Sequence, residues 1–568
     1  MPLTSWSLRR RALLASPLAA LLPAAQGRAA TAPLRVYYSD DVTQILTNLA
    51  PWRPNRETLN EAMFAASLDE AVDAGADHYV VQPGVAWLPW WKSTIEPADA
   101  HYRWFYETYG GRPSAFGRYM MQGGDVLASY LAQARKRRVP LTASIRLNDQ
   151  HAVFFAGATP EQWRSFHDDP RYDAAPLRGL ESIPRAQFEH PEWRIDPSPP
   201  DYTNRRAWRG RLWNWAVPAV VEYRAAILEE LVRTYPIDGL ELDYMRFPLF
   251  FRDDAPRAQR AAVMQAFLAR IRAALDRHGR PQSGAPRAAL ALRLPLRLAG
   301  WADLGLSPDM LRRVGVDRVT LSAHTFTSQD LDFAATRQAL DGLQVTLELG
   351  QGKHVRLNGL RPREQRAPDE EPMLLCQPDD FLSTARLAAE HGMAGVSFFN
   401  FVYYRQNAAL PAAFRTDREP PWPVVRQVKQ PAAAPQRYGS WFLAVAYADG
   451  IPEQSLPQDL RADTASVPLR MNVGAAPGSR GAWLRLAIAD RRSGGAPAPD
   501  AQWRVSLNGQ ALPRANTDAA IGLPDEDGGA PFQLWQVPPG VATLGKNALA
   551  VRQFSGPATR LWVAELFT

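Results

Sequence analysis

Glu241 and Asp243 lie two residues apart in the stretch Gly239–Asp243, with Leu240 and Leu242 in alternation with them. In an extended chain, successive side chains point to opposite faces, so the leucines share one face and the carboxylates the other. In a sandwich the acidic face would simply meet water. In a closed parallel barrel the leucines pack outward under helices and the carboxylates point into the lumen. Barrel enzymes present catalytic acids there, at the C-terminal ends of strands. Pro248 ends the segment, and Tyr244, Arg246 and Phe247 stand on the loop just above it. A further acid, Glu348, closes the apolar run Val345–Leu349. If these two runs are strands four and seven of a barrel, Asp243 and Glu348 face one another across it. Their separation would then suit two-carboxylate cleavage of a glycosidic bond.

The elements that must position these groups are legible as an alternation. Candidate strands are Leu34–Ser39, His78–Gln82, Leu141–Leu147, Gly239–Asp243, Ala289–Leu294, Arg318–Ser322, Val345–Leu349 and Val396–Phe399. Helical spacing of apolar residues recurs between them, over Glu57–Ala74, Asp125–Arg137, Pro218–Thr234, Arg257–His278 and Asp379–His391. Eight strands alternating with helices indicate an α/β protein of the (β/α)8 TIM-barrel type rather than an open sheet. An insertion over about 150–213, rich in Pro, Trp, Arg and Asp, is expected over the active face as a lid or wall.

Reading the strand ends collects polar groups that should converge at the mouth. These are Arg146, Asn148, Asp149 and His151 after strand three, Arg293 on strand five, and Ser322 with His324 at strand six. Gln351 and Lys353 follow strand seven; Asn400, Tyr403 and Arg405 follow strand eight. Glu241, one layer deeper than Asp243, is expected to pair with Arg146 or Arg293. Aromatic rings gather beside the same ends: Trp87, Trp90 and Trp91 after strand two, and Tyr244, Phe247 and Tyr403 further on. Ring faces could stack on the C–H faces of a sugar, although about half of them are expected simply to pack the loops together. His78, His151, His324, Asp149 and Asp243 could approach one another, but no pair has ligand spacing, so no metal is expected. No HExxH, P-loop, dinucleotide GxGxxG or nucleophile elbow is present, and no cofactor is expected.

At 568 residues the chain exceeds one core. The formal net charge is +7, and four of the positive charges, Arg9, Arg10, Arg11 and Arg28, lie in the first thirty residues. The remainder is near neutral, so nothing argues for a nucleic-acid partner. Residues 1–30 read as a cleavable export signal: Arg9-Arg-Arg11, an apolar run Ala12–Ala25, then small residues. Consecutive arginines before the run resemble a signal for the twin-arginine export machinery, which implies a periplasmic or extracellular protein. No stretch is long enough for an integral membrane span, and the lone Cys376 rules out an internal disulfide. The barrel is expected over 31–426, and a Pro/Ala-rich linker over 427–437. Beyond it, 438–568 reads as short strands without helices, an all-β jelly-roll sandwich. Its Asn508-Gly509 pair signals a hairpin turn.

The stretch Asp238-Gly-Leu-Glu-Leu-Asp-Tyr-Met-Arg-Phe-Pro248 resembles the strand-four signature of the family-10-like glycosyl hydrolases. Trp213-Asn-Trp-Ala-Val-Pro218 and Gly395-Val-Ser-Phe-Phe-Asn400 look like the matching parts. The resemblance covers roughly 34–410 and implies a barrel, a carbohydrate substrate and Asp243 at the functional position. By analogy with barrel glycosidases, Asp243 is the general acid/base and Glu348 the nucleophile; the reverse stays open. Glu241, Arg146, Asn148, Asp149, His324, Asn400, Trp87, Trp91, Tyr244, Arg246 and Tyr403 would contact substrate or tune the pair. Trp503–Gln510 and Leu544–Leu549 resemble galactose-binding-like jelly rolls, which implies a glycan-binding or structural role for the β-domain. A non-catalytic glycan-binding barrel and a barrel lyase or deacetylase are the alternatives.

Overall fold

A computed structural model describes residues 32–42, 50, 52, 58–85, 87–109, 113–149, 184–198, 210–355, 373–405, 419–446, 454–475, 481–491, 496–515 and 532–568. The segment expected to direct export, His151 and most of the 150–213 insertion lie outside the described residues. Pro33–Thr568 forms one compact unit.

Eight parallel strands close a barrel. They are β1 (Arg35–Asp41), β2 (His78–Gln82), β3 (Leu141–Arg146), β4 (Gly239–Asp243), β5 (Ala289–Pro295), β6 (Arg318–Ser322), β7 (Gln344–Gly350) and β8 (Gly395–Phe399). Each pairs with its sequence neighbours, and β1 closes the ring on β8. The alternation in β4 sorts as expected: Leu240 and Leu242 join the apolar core, while Glu241 and Asp243 are buried among polar partners. Register sets Asp243 beside Arg146 on one side and Arg293 on the other.

The helices form for readable reasons. α1 (Glu61–Ala74) buries Met63, Phe64, Leu68 and Ala71 along one stripe. The expectation did not include α2 (Ala98–Tyr109) and α3 (Ala115–Met121), which lie in the long β2–β3 connection. α4 (Val126–Arg137) starts at Asp125, whose side chain accepts from the Ala128 amide at 2.8 Å, and ends in basic residues that suit its C-terminal dipole. Pro218 opens α5 (Pro218–Thr234), where the missing N–H costs nothing. α6 (Arg257–His278) and α9 (Pro378–Glu390) fall within a residue of expectation, and two single-repeat helices, α7 (Pro308–Val314) and α8 (Phe333–Ala339), join them.

The C-terminal strands are β9 (Ser440–Ala444), β10 (Gln458–Leu460), β11 (Val467–Val473), β12 (Ala482–Asp490), β13 (Gln502–Leu507), β14 (Phe532–Val537), β15 (Gly545–Ser555) and β16 (Thr559–Phe567). They build two antiparallel sheets, β9-β16-β12-β14 and β11-β15-β13. Asn508 and Gly509 both adopt positive φ (51° and 82°), the backbone a two-residue hairpin turn requires.

The stretch expected to tether the two parts is itself packed. Val428 is buried, and the Lys429 carbonyl accepts from the Leu34 amide at 2.9 Å. Lys353, expected at the barrel mouth, goes instead to the sandwich. Gly350 has no room for a Cβ against Thr325, and the chain turns there into a short strand, Gly352–Val355. Lys353 Nζ then lies 3.1 Å from Asp380 on α9 and 2.5 Å from Glu565 on β16. Arg485 on β12 completes the cluster at 2.6 Å from Glu565. Gln329 adds neutral links: its amide donates to the Ser440 carbonyl and its oxygen accepts from the Phe442 amide, both at 2.9 Å.

Glu565 is fully buried between two cations, so its loss leaves uncompensated charge inside the protein. Glu565→Gln is expected to cost about 3–5 kcal/mol, the usual penalty for breaking one side of a buried pair. Urea unfolding followed by near-ultraviolet circular dichroism and by tryptophan fluorescence should show one coincident, shifted transition. Separate barrel and sandwich transitions would contradict the lock.

Candidate active site

The upper lumen is organised on Arg293 of β5. Its Nη1 donates to Asp243 Oδ2 at 3.0 Å, while Nε and Nη2 donate to Glu348 Oε2 and Oε1 at 2.5 and 2.7 Å. Nη2 also reaches the Ser322 hydroxyl (3.1 Å) and the His324 carbonyl (3.3 Å). The ring of Phe399 lies under the guanidinium, 4.0 Å from centroid to Cζ. A planar fork is suited to this multiple recognition. Because one guanidinium contacts both acids, their nearest oxygens are at most about 8 Å apart. That upper bound does not exceed the separations of up to about 9.5 Å at which paired carboxyls cleave glycosidic bonds.

Each acid has further partners. Asp243 Oδ1 accepts from the Met245 amide at 2.8 Å, and Oδ2 from the Gln82 side chain at 3.3 Å. Glu348 Oε1 accepts from the Ser322 hydroxyl at 2.5 Å. Burial pushes the Glu348 carboxyl above its ordinary value, with Arg293 and Ser322 pulling against that rise. Burial also opposes the charge of Arg293, but Asp243 and Glu348 outweigh it, and Arg293 stays protonated. A second guanidinium, Arg146 of β3, bonds Asp41 of β1 at 2.6 Å and Asp149 at 3.2 Å, with its Nε 3.9 Å from Asp243. Arg246 Nη1 meets His324 Nε2 at 3.0 Å.

The backbone is strained around the same mouth. Trp87, Phe247, His324 and Asn400 have φ of 77°, 58°, 63° and 50°, in the loops after β2, β4, β6 and β8. Positive φ in bulky non-glycine residues is costly, and such residues collect at functional sites.

Of the residues singled out from sequence, Asp243, Glu348, Arg146, Asp149, Arg246 and His324 share this network, and Asn400 stands at the end of β8 with its side-chain oxygen unbonded. Tyr403 is half-buried on the turn beyond it. Others are placed differently. Glu241 pairs not with Arg146 or Arg293 but with Arg318 of β6 at 3.1 Å, supported by Ser144 and Thr320. Asn148 is a clamp within the loops: it accepts from the Trp213 amide at 3.0 Å and donates to the Leu249 carbonyl at 2.5 Å. Trp87 offers no open face, being stacked on Trp213 at 4.6 Å and bonded through Nε1 to the Leu147 carbonyl at 2.7 Å. Trp91 is equally buried, and Tyr244 packs on Phe250 with its hydroxyl toward Met264 under α6. Asp243 is fully buried because Arg293, Gln82 and the Met245 amide enclose it.

Asp41 and Gln82 escaped the sequence reading. Both end barrel strands, so the strand-end rule that found Arg146 and Asn400 would have reached them. Among the described residues no three His, Cys, Asp or Glu side chains group to hold a metal ion, and no helix is long and apolar enough to cross a membrane.

Arg293→Met strands two buried carboxylates and is expected to cost about 3–5 kcal/mol at neutral pH. The sign of the pH dependence follows from Glu348. A carboxyl raised by folding stabilises the native state below its unfolded value of 4.5, and that contribution is lost as pH climbs through the folded value. Without the arginine the climb extends further, so the variant should regain stability as pH falls from 7.5 toward 5. Urea midpoints at the two pH values check this; a pH-independent deficit contradicts it.

No protein-family model and no curated protein sequence matches the chain. Among solved structures, an α-L-fucosidase isoenzyme from Paenibacillus thiaminolyticus aligns at 12% identity over 70% of this chain and 49% of that one, with a TM-score of 0.38. A family GH18 chitinase from Chromobacterium violaceum aligns at 9% identity over 93% and 89%, with a TM-score of 0.37. The PgaB glycoside hydrolase domain from Bordetella bronchiseptica aligns at 11% over 65% and 94%, with a TM-score of 0.35. With TM-scores below 0.5, these similarities assign neither substrate nor reaction to this chain.

Proposed function

We propose that the protein is an exported glycoside hydrolase whose working pair is Asp243 and Glu348. One observation carries the reading: two acids from opposite sides of the lumen, held on a single arginine at the C-terminal mouth of the barrel. The strained turns around that mouth support it. Cleavage requires Arg293 to give way, because its guanidinium fills the space between the acids; a glycosidic bond placed there needs a proton on its leaving oxygen and an anion at its anomeric carbon. Glu348, raised by burial, suits the first role. Asp243, oriented through the Met245 amide, suits the second as nucleophile or base. This ordering reverses the assignment made by analogy. Arg246, His324, Asn400 and Tyr403 would meet sugar hydroxyls. The carbohydrate substrate, twin-arginine export and a periplasmic or extracellular location belong to the same proposal. The sandwich serves as a structural buttress in it, because its buried glutamate is committed to the barrel.

A second reading has its own observation. Both acids are buried and saturated by donors, as in a structural ion cluster. On that reading the barrel binds glycan without cleaving it.

The mature protein is expected to release reducing ends from at least one member of a polysaccharide panel. Asp243→Asn should then lower turnover per folded molecule by about 10²-fold or more, beyond the stability it loses by removing one of the two carboxylates on Arg293. Glu241→Gln should also lose stability, because Arg318 is left unpaired, but with much less effect on the rate per folded molecule. Glu348→Gln should still cleave aryl glycosides, whose leaving groups need no proton, while failing on unactivated sugars. Near-normal turnover in Asp243→Asn would sink the mechanism and favour the binding protein.

A further inference from the structure

The lower end of the barrel is built unlike the upper. A barrel lumen is ordinarily filled by layers of large branched side chains. Here Ala289 and Ala291 occupy lower positions on β5, and a cavity of about 240 Å3 remains. Its lining includes the residues that open several strands: Arg35 of β1, His78 of β2 and Arg318 of β6. Arg287 stands on the loop before β5.

The charges lining this space do not cancel. Two acids, Asp238 and Asp317, line it, but both are committed. Asp238 accepts from the Leu141 and Ser283 amides, each at 2.8 Å. Asp317 accepts from Arg272 at 3.1 Å, from the Leu290 amide at 2.9 Å and from Arg287. Arg318 is 5% exposed and spends Nη2 on Glu241, while its Nη1 has no hydrogen-bond partner. Leaving a buried guanidinium donor unmet costs free energy. The face of Arg318 lies over Tyr37, 4.0 Å from centroid to Cζ, which fixes the fork in place. His78 bonds Thr142 through Nε2 at 2.7 Å and leaves Nδ1 unmet. Burial, then the charges of Arg318 and Arg35, keep that ring neutral, so one ring nitrogen can act as a donor.

We propose that this cavity binds the oxyanion group of a small solute, a phosphate, sulfate or carboxylate, at the end of the barrel opposite the carboxylate pair. Arg318 supplies the buried donor, Arg35 the rim charge, and the alanines of β5 the room. The site is separate from the proposed glycosidase chemistry and stands or falls independently of it.

The test uses the full chain and titrates inorganic phosphate, sulfate and acetate at constant ionic strength, with chloride as the balancing salt. Calorimetry should show a saturable isotherm near one per chain, with a matching rise in melting temperature. A preference for phosphate or sulfate identifies a tetrahedral anion, and a preference for acetate a carboxylate. Arg318 also holds Glu241, so its substitution would confound binding with folding. Arg35→Ala and Ala285→Glu, both at exposed positions lining the cavity, are used instead. Each should weaken binding about tenfold or more and leave the melting temperature without anion unchanged. The proposal is overturned if none of the three anions gives saturable binding, or if both variants bind as the parent does.

Discussion

A guanidinium removed from water holds the upper lumen together. Arg293 can stay charged there only because two carboxylates, a hydroxyl and a carbonyl surround it. Those acids in turn can stay buried only because the arginine is present. β4, β5 and β7 must therefore keep their register to within one residue, since a slip would turn one member of the set out of the lumen. Arg146 repeats the logic between β1, β3 and the loop after β3. Strand order, register and the chemistry of the mouth are one constraint seen at different scales.

The same reasoning explains which features could be read ahead of the structure. Barrel strands and most long helices follow from period, a local property, and fell within a residue or two of expectation; α1 is the exception, starting at Glu61 rather than Glu57. Glu241 was readable as a lumen acid, yet its partner was not. Pairing with Arg318 depends on the stagger between β4 and β6, which no local pattern encodes. Lys353 was misplaced for a related reason: a close chain crossing at Gly350 turns the backbone toward the sandwich. Trp87 and Asn148 sit in loops, where side-chain direction has no period; both turned inward to hold other loops. Helix α2 does carry a stripe that the reading missed, Ala98, His101, Tyr102 and Phe105 at i, i+3, i+4 and i+7, all buried; α3 is too short for a period to show.

The sandwich resembles half of a core more than an appended module. Lys353, Asp380, Arg485 and Glu565 alternate in sign across the junction, and the rings of Phe442 and Phe567 lie near the lysine ammonium. Burying four charges is expensive, and the geometry recovers that expense only when all four are present. Such a junction selects one docking arrangement and rejects misaligned ones.

Closure of the ring by β1 against β8 also bears on how the chain reaches this state. Arg35 pairs with Gly395, and Leu34 is tied to Lys429, so the first strand meets β2 early but finds its second partner only after the whole barrel sequence exists. Long-range closure of this kind is entropically late. Until then a growing chain carries two unpaired sheet edges, one at β1 and one at the newest strand, and open edges invite pairing between molecules. The last residues of the sandwich lie in β16, beside Ser440 and Trp441 of β9, so the C-terminal body closes on its own final strand as well. The barrel therefore closes only once β8 is made and the sandwich only once β16 is, and a chain cut before either strand is left with an edge exposed.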